Sequence, residues 1–501
     1  MKKIHLIIWL LLLPLLLMSE DVNSFFVKQI ILLDRNKQTI ELNKPLSKII
    51  VSYENKNLSL EDLRRLQKQL EKYYETIGYN FTAITIPPQN ITKGTLYLEV
   101  KIPVVGKIHV KGNKYYSTDF IVSHLDQKED SPLEYKNLLK SLLLLNNYSD
   151  LSTKLLFKKN KDGNTTDIII KVSDNRPFHA YITFDNLGSK STSRKRITVG
   201  TSYGNLFTDG DLINLRDTYS VDPHSTNLFS SNYTIPINTK NTKLKIGYLY
   251  TNYVATGDLK ILDMKGNTKI YNLSVIQPLL KTFKRSCNLS FGYTRKISQN
   301  YILGDILSKE KINDYIITLD YQVNSLYASN SFTFKYTIGN ILSDNANARA
   351  NETIKFMKTN INYTRNQFLN KTNTLMFRLN TQYSPDRLST SEMQSTGGYG
   401  SAAGFTSSKA IGDSGYIATL GWMNSRFGFQ IGPFIDYSQM YANHTVKGEK
   451  GTTTLMDAGF NTNINFYKRF RLTLSAAYPI DANIDYKKEW QWYAILNIKL
   501  W

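Results

Sequence analysis

Segments in which apolar and polar residues alternate make up most of the chain from Pro177 onward, and short polar turns separate them. Successive side chains of a β-strand point to opposite faces, so each segment predicts a strand with one apolar and one polar face. In the segment 331–340, the alternating residues are Phe332, Phe334, Tyr336 and Ile338 against Ser331, Thr333, Lys335 and Thr337. The segments 243–250 and 375–383 repeat this pattern. We therefore expect strands, and no helices, throughout this region.

A long series of such strands is typical of a membrane-spanning β-barrel with an apolar outer face and a polar lumen. The sheet must close on itself, because an open edge in lipid would leave backbone N–H and C=O groups unpaired. Residues 177–501 accommodate about 16 strands if each strand and its connection take about 20 residues. The sequence thus predicts a transmembrane antiparallel β-barrel of about 16 strands.

The charge and the aromatic content of the chain limit the kinds of partner that the protein is expected to bind. The formal net charge is +21, but the basic residues are spread through the alternating segments and do not cluster as a nucleic-acid interface requires. We predict no nucleic-acid partner, and we assign the basic residues to a polar lumen, a solvated surface and contacts with anionic lipopolysaccharide. The 33 tyrosines suit the aromatic girdles of a barrel. The last strand has one apolar face, with Trp501 out of register: Trp490, Trp492, Ala494, Leu496, Ile498 and Leu500.

The N-terminus has the layout of a secretory signal peptide. Lys2 and Lys3 precede an apolar run, Ile4–Met18, that is shorter than the roughly 20 residues of a membrane helix. We assign residues 1–19 to the signal peptide and expect the protein to be exported.

Metal, cofactor and catalytic sites find no support in the sequence. Cys287 is the only cysteine, which excludes an intrachain disulfide and a cysteine-based metal site. The six histidines lack the spacing of metal ligands. Neither a Gly-x-Ser-x-Gly elbow nor a phosphate-binding glycine loop is present. We predict no metal, no cofactor and no enzymatic activity.

Residues 25–102 mix helical and strand patterns and predict a small α+β module. One helical face carries apolar residues at helical spacing, and Gly78 ends the helix: Leu60, Leu63, Leu66, Leu70, Tyr73 and Ile77. Tyr79–Ile86 and Thr95–Ile102 follow as two strands on either side of Pro87-Pro88.

Residues 103–175 predict a second module of similar size, and the two together indicate a repeat with a β-α-α-β-β plan. Its predicted elements are a strand at Lys107–Val110, helices at Thr118–Leu125 and Leu133–Leu145, and a hairpin of Leu151–Lys158 and Thr166–Val172 around residues 161–164. Ser131-Pro132 is the expected cap and first turn of the second helix.

Several short motifs, in order along nearly the whole mature chain, resemble those of one family. In the first module they are Gly78-Tyr79, Ile86-Pro87-Pro88-Gln89-Asn90-Ile91 and Gly94-Thr95-Leu96, and Val105-Gly106-Lys107-Ile108 starts the second. In the barrel they are Phe184-Asp185-Asn186-Leu187-Gly188, Tyr203-Gly204-Asn205-Leu206-Phe207, Gly210-Asp211, Gly412-Asp413-Ser414-Gly415-Tyr416, Phe434-Ile435-Asp436 and Ala477-Tyr478-Pro479-Ile480. The chain resembles the outer-membrane transporters of two-partner secretion, the haemolysin or haemagglutinin secretion-activation proteins.

The resemblance implies two periplasmic POTRA domains, an outer-membrane barrel, and a loop that folds back into the lumen. In this chain that loop follows Gln382, Leu388, Ser391-Glu392-Met393 and Gly397-Gly398. Its matching residues are Gly397, Gly398, Ala403, Gly404 and Phe405, and the barrel motif that anchors the loop would be Phe434 and Asp436.

The chain departs from the family pattern at the loop anchor. The family carries an arginine that pairs with the aspartate of Phe-x-Asp, and Ala403 stands at that position here. Either Lys409 or an arginine on another inward strand face replaces it, or the loop is looser and the transporter gates differently. Related transporters often begin with a helix that plugs the pore, and we expect none here, because few residues separate Ser19 from Phe25.

The function implied is export of a partner protein. The POTRA domains would capture an unfolded exoprotein by adding one of its segments to an exposed strand edge, and the barrel would pass it outward. Tyr79, Pro87, Pro88 and Gln89 mark the expected client-binding region. Further expected partners are outer-membrane lipid or lipopolysaccharide and the barrel assembly machinery.

Three other functions remain as alternatives at this point. A barrel-assembly insertase of the same superfamily is disfavoured by the chain length and by the presence of only two modules. A passive porin or an adhesin has no use for periplasmic modules. An outer-membrane hydrolase would require a Ser/His pair that the sequence does not offer. Activation of a haemolysin-like client during export stays open.

Overall fold

The computed structural model describes residues 24–91, 93–160, 165–221, 225–342 and 349–500. The proposed signal peptide, the expected absence of a plug helix, the turn at 161–164 and Trp501 therefore lie outside the described residues. Among the described helices, none is long and apolar enough to cross a membrane.

The first module is an α+β unit built around one apolar core. Its elements are β1 (Phe25–Val27), β2 (Gln29–Leu33), α1 (Lys44–Val51), β3 (Lys56–Leu58), α2 (Leu60–Ile77), β4 (Ala83–Thr85) and β5 (Thr95–Lys101). β1 pairs with β3, and the main sheet has the order β2-β5-β4 with β2 parallel to β5. Of the predicted strand Tyr79–Ile86, only β4 forms.

Helix α2 begins and ends where the sequence predicts. Ser59 and Asp62 form a reciprocal capping box, and Gly78 takes the left-handed conformation at φ 110° that ends the helix. The buried face differs in part from the prediction, since Tyr74 is buried and Leu60 is 63% exposed. Four residues at spacings of three and four line the core: Leu63, Leu66, Leu70 and Tyr74.

The second module repeats the strand order of the first. Its elements are β6 (Val104–Lys111), α3 (Thr118–Ser123), α4 (Tyr135–Leu145), β7 (Leu151–Lys159) and β8 (Thr165–Asp174). The sheet has the order β6-β8-β7, with β6 parallel to β8. The predicted cap at Ser131-Pro132 is wrong, because α4 starts at Tyr135 and Pro132 instead forms a β-bridge with Val104.

The predicted 16-stranded barrel is confirmed. Its strands are β9 (Phe178–Asp185), β10 (Arg196–Gly204), β11 (Leu212–Ser220), β12 (Thr226–Pro236), β13 (Lys243–Val254), β14 (Lys265–Lys281), β15 (Arg285–Ile302), β16 (Asp305–Asn324), β17 (Ala328–Ile341), β18 (Lys355–Phe368), β19 (Asn373–Tyr383), β22 (Ser414–Arg426), β23 (Phe429–Tyr441), β24 (Thr452–Phe466), β25 (Phe470–Ala482) and β26 (Gln491–Lys499). Two further short strands, β20 (Gln394–Thr396) and β21 (Ala410–Gly412), pair with each other between β19 and β22.

All neighbouring strands are antiparallel, and β26 pairs with β9 to close the sheet. The pairing at this seam runs from Ile495 opposite Asp185 to Lys499 opposite Tyr181. The alternation sets which side chains face out: Ile338 is 52% exposed, whereas its neighbour Thr337 is 1% exposed. We call the end of the barrel at which β9 ends the distal end.

Candidate functional site

The connection between β19 and β22, residues 384–413, is the centre of the candidate site. It leaves the distal end and folds back among inward-facing residues of the barrel wall, and β20 and β21 form a short hairpin within it. Residues 397–409 form its tip, which holds Gly397, Gly398, Ala403, Gly404 and Phe405. Ala403 and Phe405 are buried against the wall.

The tip approaches the wall closely at Gly404. A Cβ atom at that position would lie 2.7 Å from the Asp457 Cβ and 2.7 Å from the Pro479 nitrogen. Only glycine therefore fits between the loop and strands β24 and β25. Gly397 and Gly398 have φ of 108° and 91°, which side chains disfavour and which allow the chain to turn here.

Apolar contacts hold the tip on two sides. Phe405 belongs to a buried cluster with residues of three barrel strands: Ile417, Met440 and Leu455. Its ring centroid lies 5.5 Å from that of Tyr486. Ala403 packs with Phe434 and Ala477 in a second buried cluster.

The polar contacts of the tip are hydrogen bonds with neutral groups and with the two buried carboxylates Asp436 and Asp457, the latter through the Gly404 backbone. The Tyr493 hydroxyl donates to the Ala403 carbonyl at 2.9 Å. The Ala403 N–H donates to one Asp436 oxygen at 3.4 Å, and the Thr419 hydroxyl donates to the other at 2.5 Å. Within the described residues Asp436 makes no ion pair, so Lys409 does not replace the arginine of the family. Arg378 lines the same cavity as Asp436 without hydrogen bonding to it.

The stem of the loop is held by ion pairs that the sequence analysis did not predict. Glu392, which is 4% exposed, pairs with Lys296 of β15 and with Lys358 of β18, the latter at 2.6 Å. Glu310 of β16 accepts hydrogen bonds from Ser389 at 2.8 Å and Ser391 at 2.9 Å. Ser391-Glu392-Met393 is a recognisable motif in the sequence, but the charge partners of Glu392 lie far away along the chain.

A second network joins residues from three connections at the distal end: the described residues 349–354 between β17 and β18, residues 384–413, and residues 442–451. Arg349 donates to Asp413 at 2.6 Å and to Glu449 at 2.7 Å, and Arg387 donates to Glu449 at 2.7 Å. The Leu388 N–H also donates to Asp413, at 2.7 Å. Burial acts to raise the pKa of Glu449, but hydrogen bonds from Arg387 and Arg349 outweigh it and lower the pKa to about 2.

Because of this network, we predict that the stability of the folded protein depends on pH in the acidic range. A carboxyl group with a lowered folded pKa contributes stability above its unfolded pKa of about 4.3, and that contribution is lost as the pH falls toward about 2. The difference in unfolding midpoint between wild type and Glu449→Gln is therefore expected to shrink as the pH falls from about 4.5 to about 2. Thermal unfolding in detergent micelles measures it. A difference that stays constant over this pH range would contradict the assignment.

The expected client-binding residues of the first module take part in structural contacts. The Gln89 side chain donates to the Tyr97 carbonyl and accepts from the Tyr97 N–H, both at 2.8 Å, and so continues the hydrogen bonding along β5 beyond the end of β4. The Tyr79 hydroxyl lies 3.4 Å from Glu134. Pro88 is exposed and Pro87 is half-buried.

The outer edges of the first sheet already have partners. On β4, the Ile84 carbonyl accepts from Gln67 at 3.0 Å and the Ile84 N–H donates to Glu71 at 3.5 Å. On β2, the Ile30 N–H donates to Glu54 at 2.8 Å. Strand addition to this sheet would have to displace these contacts. The first module also has a groove of about 790 Å³, which includes Phe25, Phe26, Lys28, Gln89, Ile91 and Lys93 in its lining.

In the second module, the outer edge of β6 is partly covered and β7 is the other outer strand. The Val105 N–H donates to the Ser131 carbonyl at 2.9 Å, and the Asp130 N–H donates to the Val105 carbonyl at 3.0 Å. β7 carries Lys154, Lys158 and Lys159.

A closed 16-stranded barrel with a loop inside its lumen, preceded by two small modules, defines an outer-membrane transporter with POTRA domains. The haemolysin secretion/activation proteins ShlB/FhaC/HecB match residues 164–464, and the ShlB-type POTRA domain matches residues 25–101. The chain belongs to this family.

Known relatives agree with this assignment. The heme/hemopexin transporter protein HuxB of Haemophilus influenzae is 24% identical over 483 residues, which cover 92% of this chain and 85% of HuxB. CdiB from Escherichia coli has a similar fold, with a TM-score of 0.79 at 16% identity, covering 96% of this chain and 92% of CdiB. BamA from Haemophilus ducreyi lacking POTRA domains 1–3 gives a TM-score of 0.56 at 14% identity, covering 95% of this chain and 100% of that one.

The chain is thus a two-partner secretion translocator. It resides in the outer membrane with its POTRA domains in the periplasm, and it works with a secreted exoprotein. The resemblance to BamA is one of fold, so it does not favour the insertase alternative.

Proposed function

We propose that the POTRA domains capture the exoprotein unfolded in the periplasm, and that it crosses the barrel once loop 384–413 has left the lumen. One observation carries this proposal: the loop tip is held in the lumen by neutral contacts and a single long hydrogen bond to Asp436. Hydrogen bonds of this kind contribute about 1 kcal/mol each and burial of the Phe405 side chain about 1.5–3 kcal/mol, so the tip is held at rest without an ion pair and can be displaced by a client.

The two ends of the loop then have different roles. The stem is tied by the buried pairs of Glu392 with Lys296 and Lys358, and breaking such a pair costs several kcal/mol. The contact between the tip and Asp436 is not an ion pair, since Ala403 contributes only its backbone N–H to Asp436. We therefore propose that a client strand first displaces the tip while the stem remains attached to the wall.

Client capture is proposed at two places. The groove lined in part by Gln89 offers apolar surface from Phe25, Phe26 and Ile91, and Tyr79, Pro87 and Pro88 remain part of the proposed client-binding region. The outer strand β7 offers backbone groups for strand addition, which tolerates varied client sequence. Because edge groups of the first sheet are already hydrogen-bonded to side chains, client binding in that module is proposed in the groove and not by strand addition.

Three finer points belong to the same proposal. The basic surface contacts anionic lipopolysaccharide, and the barrel assembly machinery inserts the barrel into the membrane. Export is driven by folding of the client outside the cell, so it requires no catalytic group in this chain. Activation of a haemolysin-like client is a second candidate function, supported by the family description alone.

The test is secretion of the cognate exoprotein with the full chain, without it, and with a chain lacking residues 25–174. Export of the client only with the full chain supports both capture and translocation. Secretion that persists without the chain, together with failure of other barrels to assemble, would favour an insertase. Secretion at the wild-type rate by the truncated chain would refute capture by the POTRA domains.

A further inference from the structure

The turns at the end of the barrel opposite the distal end carry exposed apolar side chains and no acidic ones. We call this end the proximal end, and it faces the periplasm because the chain enters β9 there from the POTRA domains. Its last five turns, residues 282–284, 325–327, 369–372, 427–428 and 467–469, contain no aspartate or glutamate. The distal connections, in contrast, contain acidic residues such as Asp413, Glu449 and Glu489. Each of the five proximal turns has an exposed large apolar residue: Phe283, Leu326, Leu369, Phe427 and Tyr467.

Two of these turns lie side by side and carry three basic side chains between them. The Asn465 N–H, at the end of β24, donates to the Gly428 carbonyl at 3.0 Å, so the turn after β22 packs against the turn after β24. All residues of 426–430 and 465–469 are exposed. Within the described part of the chain, none of their three basic side chains forms an ion pair: Arg426, Lys468 and Arg469.

The aromatic residues of the two turns are unfavourable for a turn in water. Phe427 is 99% exposed and Tyr467 is 88% exposed. Both have left-handed backbone, with φ of 48° and 50°, a conformation for which hairpin turns favour glycine or asparagine. In water these side chains would gain neither packing nor a relaxed backbone. At the surface of a bilayer they gain contacts, because aromatic rings are favourable at the level of the lipid headgroups.

A group of phenylalanines on the lipid-facing side of the barrel ends directly at these turns. Phe429 lies seven residues before the inward-facing Asp436 on β23, so it points outward. It pairs with Ile464, and Phe466 lies two residues further along β24 on the same face. Phe466 pairs with Phe470, and their rings stack at 5.6 Å. Apolar rings followed by basic side chains match the order of acyl chains and phosphates in a lipid leaflet.

We infer that these two turns form a binding site for an anionic phospholipid of the periplasmic leaflet. The lipid phosphate is bound by Arg426, Lys468 and Arg469, since charged hydrogen bonds from arginine and lysine to phosphate are strong. The acyl chains pack on the outward rings of Phe429, Phe466 and Phe470. A client chain in the lumen would not meet these rings, because they face the lipid. The site lies in the phospholipid leaflet, and it does not depend on which exoprotein the barrel exports.

The test measures which lipids the full chain retains. The protein is reconstituted in nanodiscs of phosphatidylcholine and phosphatidylglycerol and transferred to mild detergent, and native mass spectrometry counts the lipids that stay bound. In wild type, the ratio of phosphatidylglycerol to phosphatidylcholine is expected to be about five times that of the bilayer, which is the effect of one basic residue near an anionic surface. The combined variant Arg426→Gln, Lys468→Gln and Arg469→Gln is expected to retain the two lipids in the bilayer ratio. The matched control changes three exposed lysines of the distal connections to glutamine and should keep the enrichment: Lys447, Lys487 and Lys488.

The outcomes separate a lipid site from its alternatives. Enrichment that only the proximal variant loses supports the site. No enrichment in wild type overturns it, and so does equal enrichment in wild type and the proximal variant. Equal loss in the distal control would mean that net charge alone attracts the lipid. Two additions to the wash distinguish other ligands: displacement of the lipid by soluble glycerol phosphate would indicate a phosphate site, and displacement by the exoprotein would indicate a client site. Each of these three results overturns the inference.

Discussion

Replacing Glu392 with glutamine is expected to free the loop and increase the conductance of the barrel in planar bilayers. Glu392 forms ion pairs with both Lys296 and Lys358, whose side chains are largely buried. Glutamine has the same shape but no charge, so it removes the carboxylate with which both buried ammonium groups are paired. Removing one partner of a buried ion pair typically costs about 3–5 kcal/mol. This free-energy cost is larger than the contribution of any single contact of the tip. We therefore expect the stem to leave the barrel wall together with the tip.

A surface ion pair provides the matched control for Glu392→Gln. Glu489 pairs with Lys190 at 3.3 Å, and both side chains are about half exposed. Exposed pairs contribute at most about 1 kcal/mol, so Glu489→Gln should conduct like wild type. Trypsin cleavage at Lys409 gives a second measurement and should accelerate only in Glu392→Gln. Equal conductance of wild type and Glu392→Gln would show that the stem is not an anchor.

Introducing arginine at Ala403 is expected to have the opposite effect and to lower both conductance and secretion. Ala403 lines the cavity that also holds Asp436, so its longer side chain would point a guanidinium at a buried carboxylate. A charged hydrogen bond contributes about 1.5–3 kcal/mol, which corresponds to a 10-fold to 100-fold lower population of the displaced loop.

Ala403→Met is the control for the arginine variant, because methionine occupies similar space without a charge. It should leave secretion closer to wild type than Ala403→Arg does. Equal loss of secretion in both variants would mean that crowding of the cavity, and not an ion pair with Asp436, holds the loop. An unchanged rate in Ala403→Arg would show that the tip does not limit export.

The barrel was predictable because its signal is local and repeated. A segment such as 331–340 shows its two faces by itself, and the chemistry of lipid requires that the sheet close. The capping box of Ser59 and Asp62 and the end at Gly78 likewise lie within one helix. The absence of the family's arginine at Ala403 was also visible in the sequence.

The anchors that replace the arginine were not predictable, because they depend on register and on residues distant in sequence. Lys296 lies 96 positions before Glu392, and nothing local links them. Asp457 faces Asp436 only because β23 and β24 pair in one particular register. A shift of one residue would turn Asp457 to the lipid face. The hydrogen bonds on the edges of the first sheet also come from side chains outside the sheet, Gln67 and Glu71 of α2 and Glu54 of the turn after α1, and required the tertiary structure.

Displacement of the loop during export can be tested directly with a reversible cross-link. Ala403 and Ala477 lie in one buried cluster, so cysteines at both positions, with Cys287 replaced by serine, would join the tip to β25. Each single-cysteine variant serves as a control. We predict that oxidation stops secretion of the exoprotein by the double variant and that reduction restores it. Secretion at an undiminished rate by the fully oxidised double variant would contradict the account.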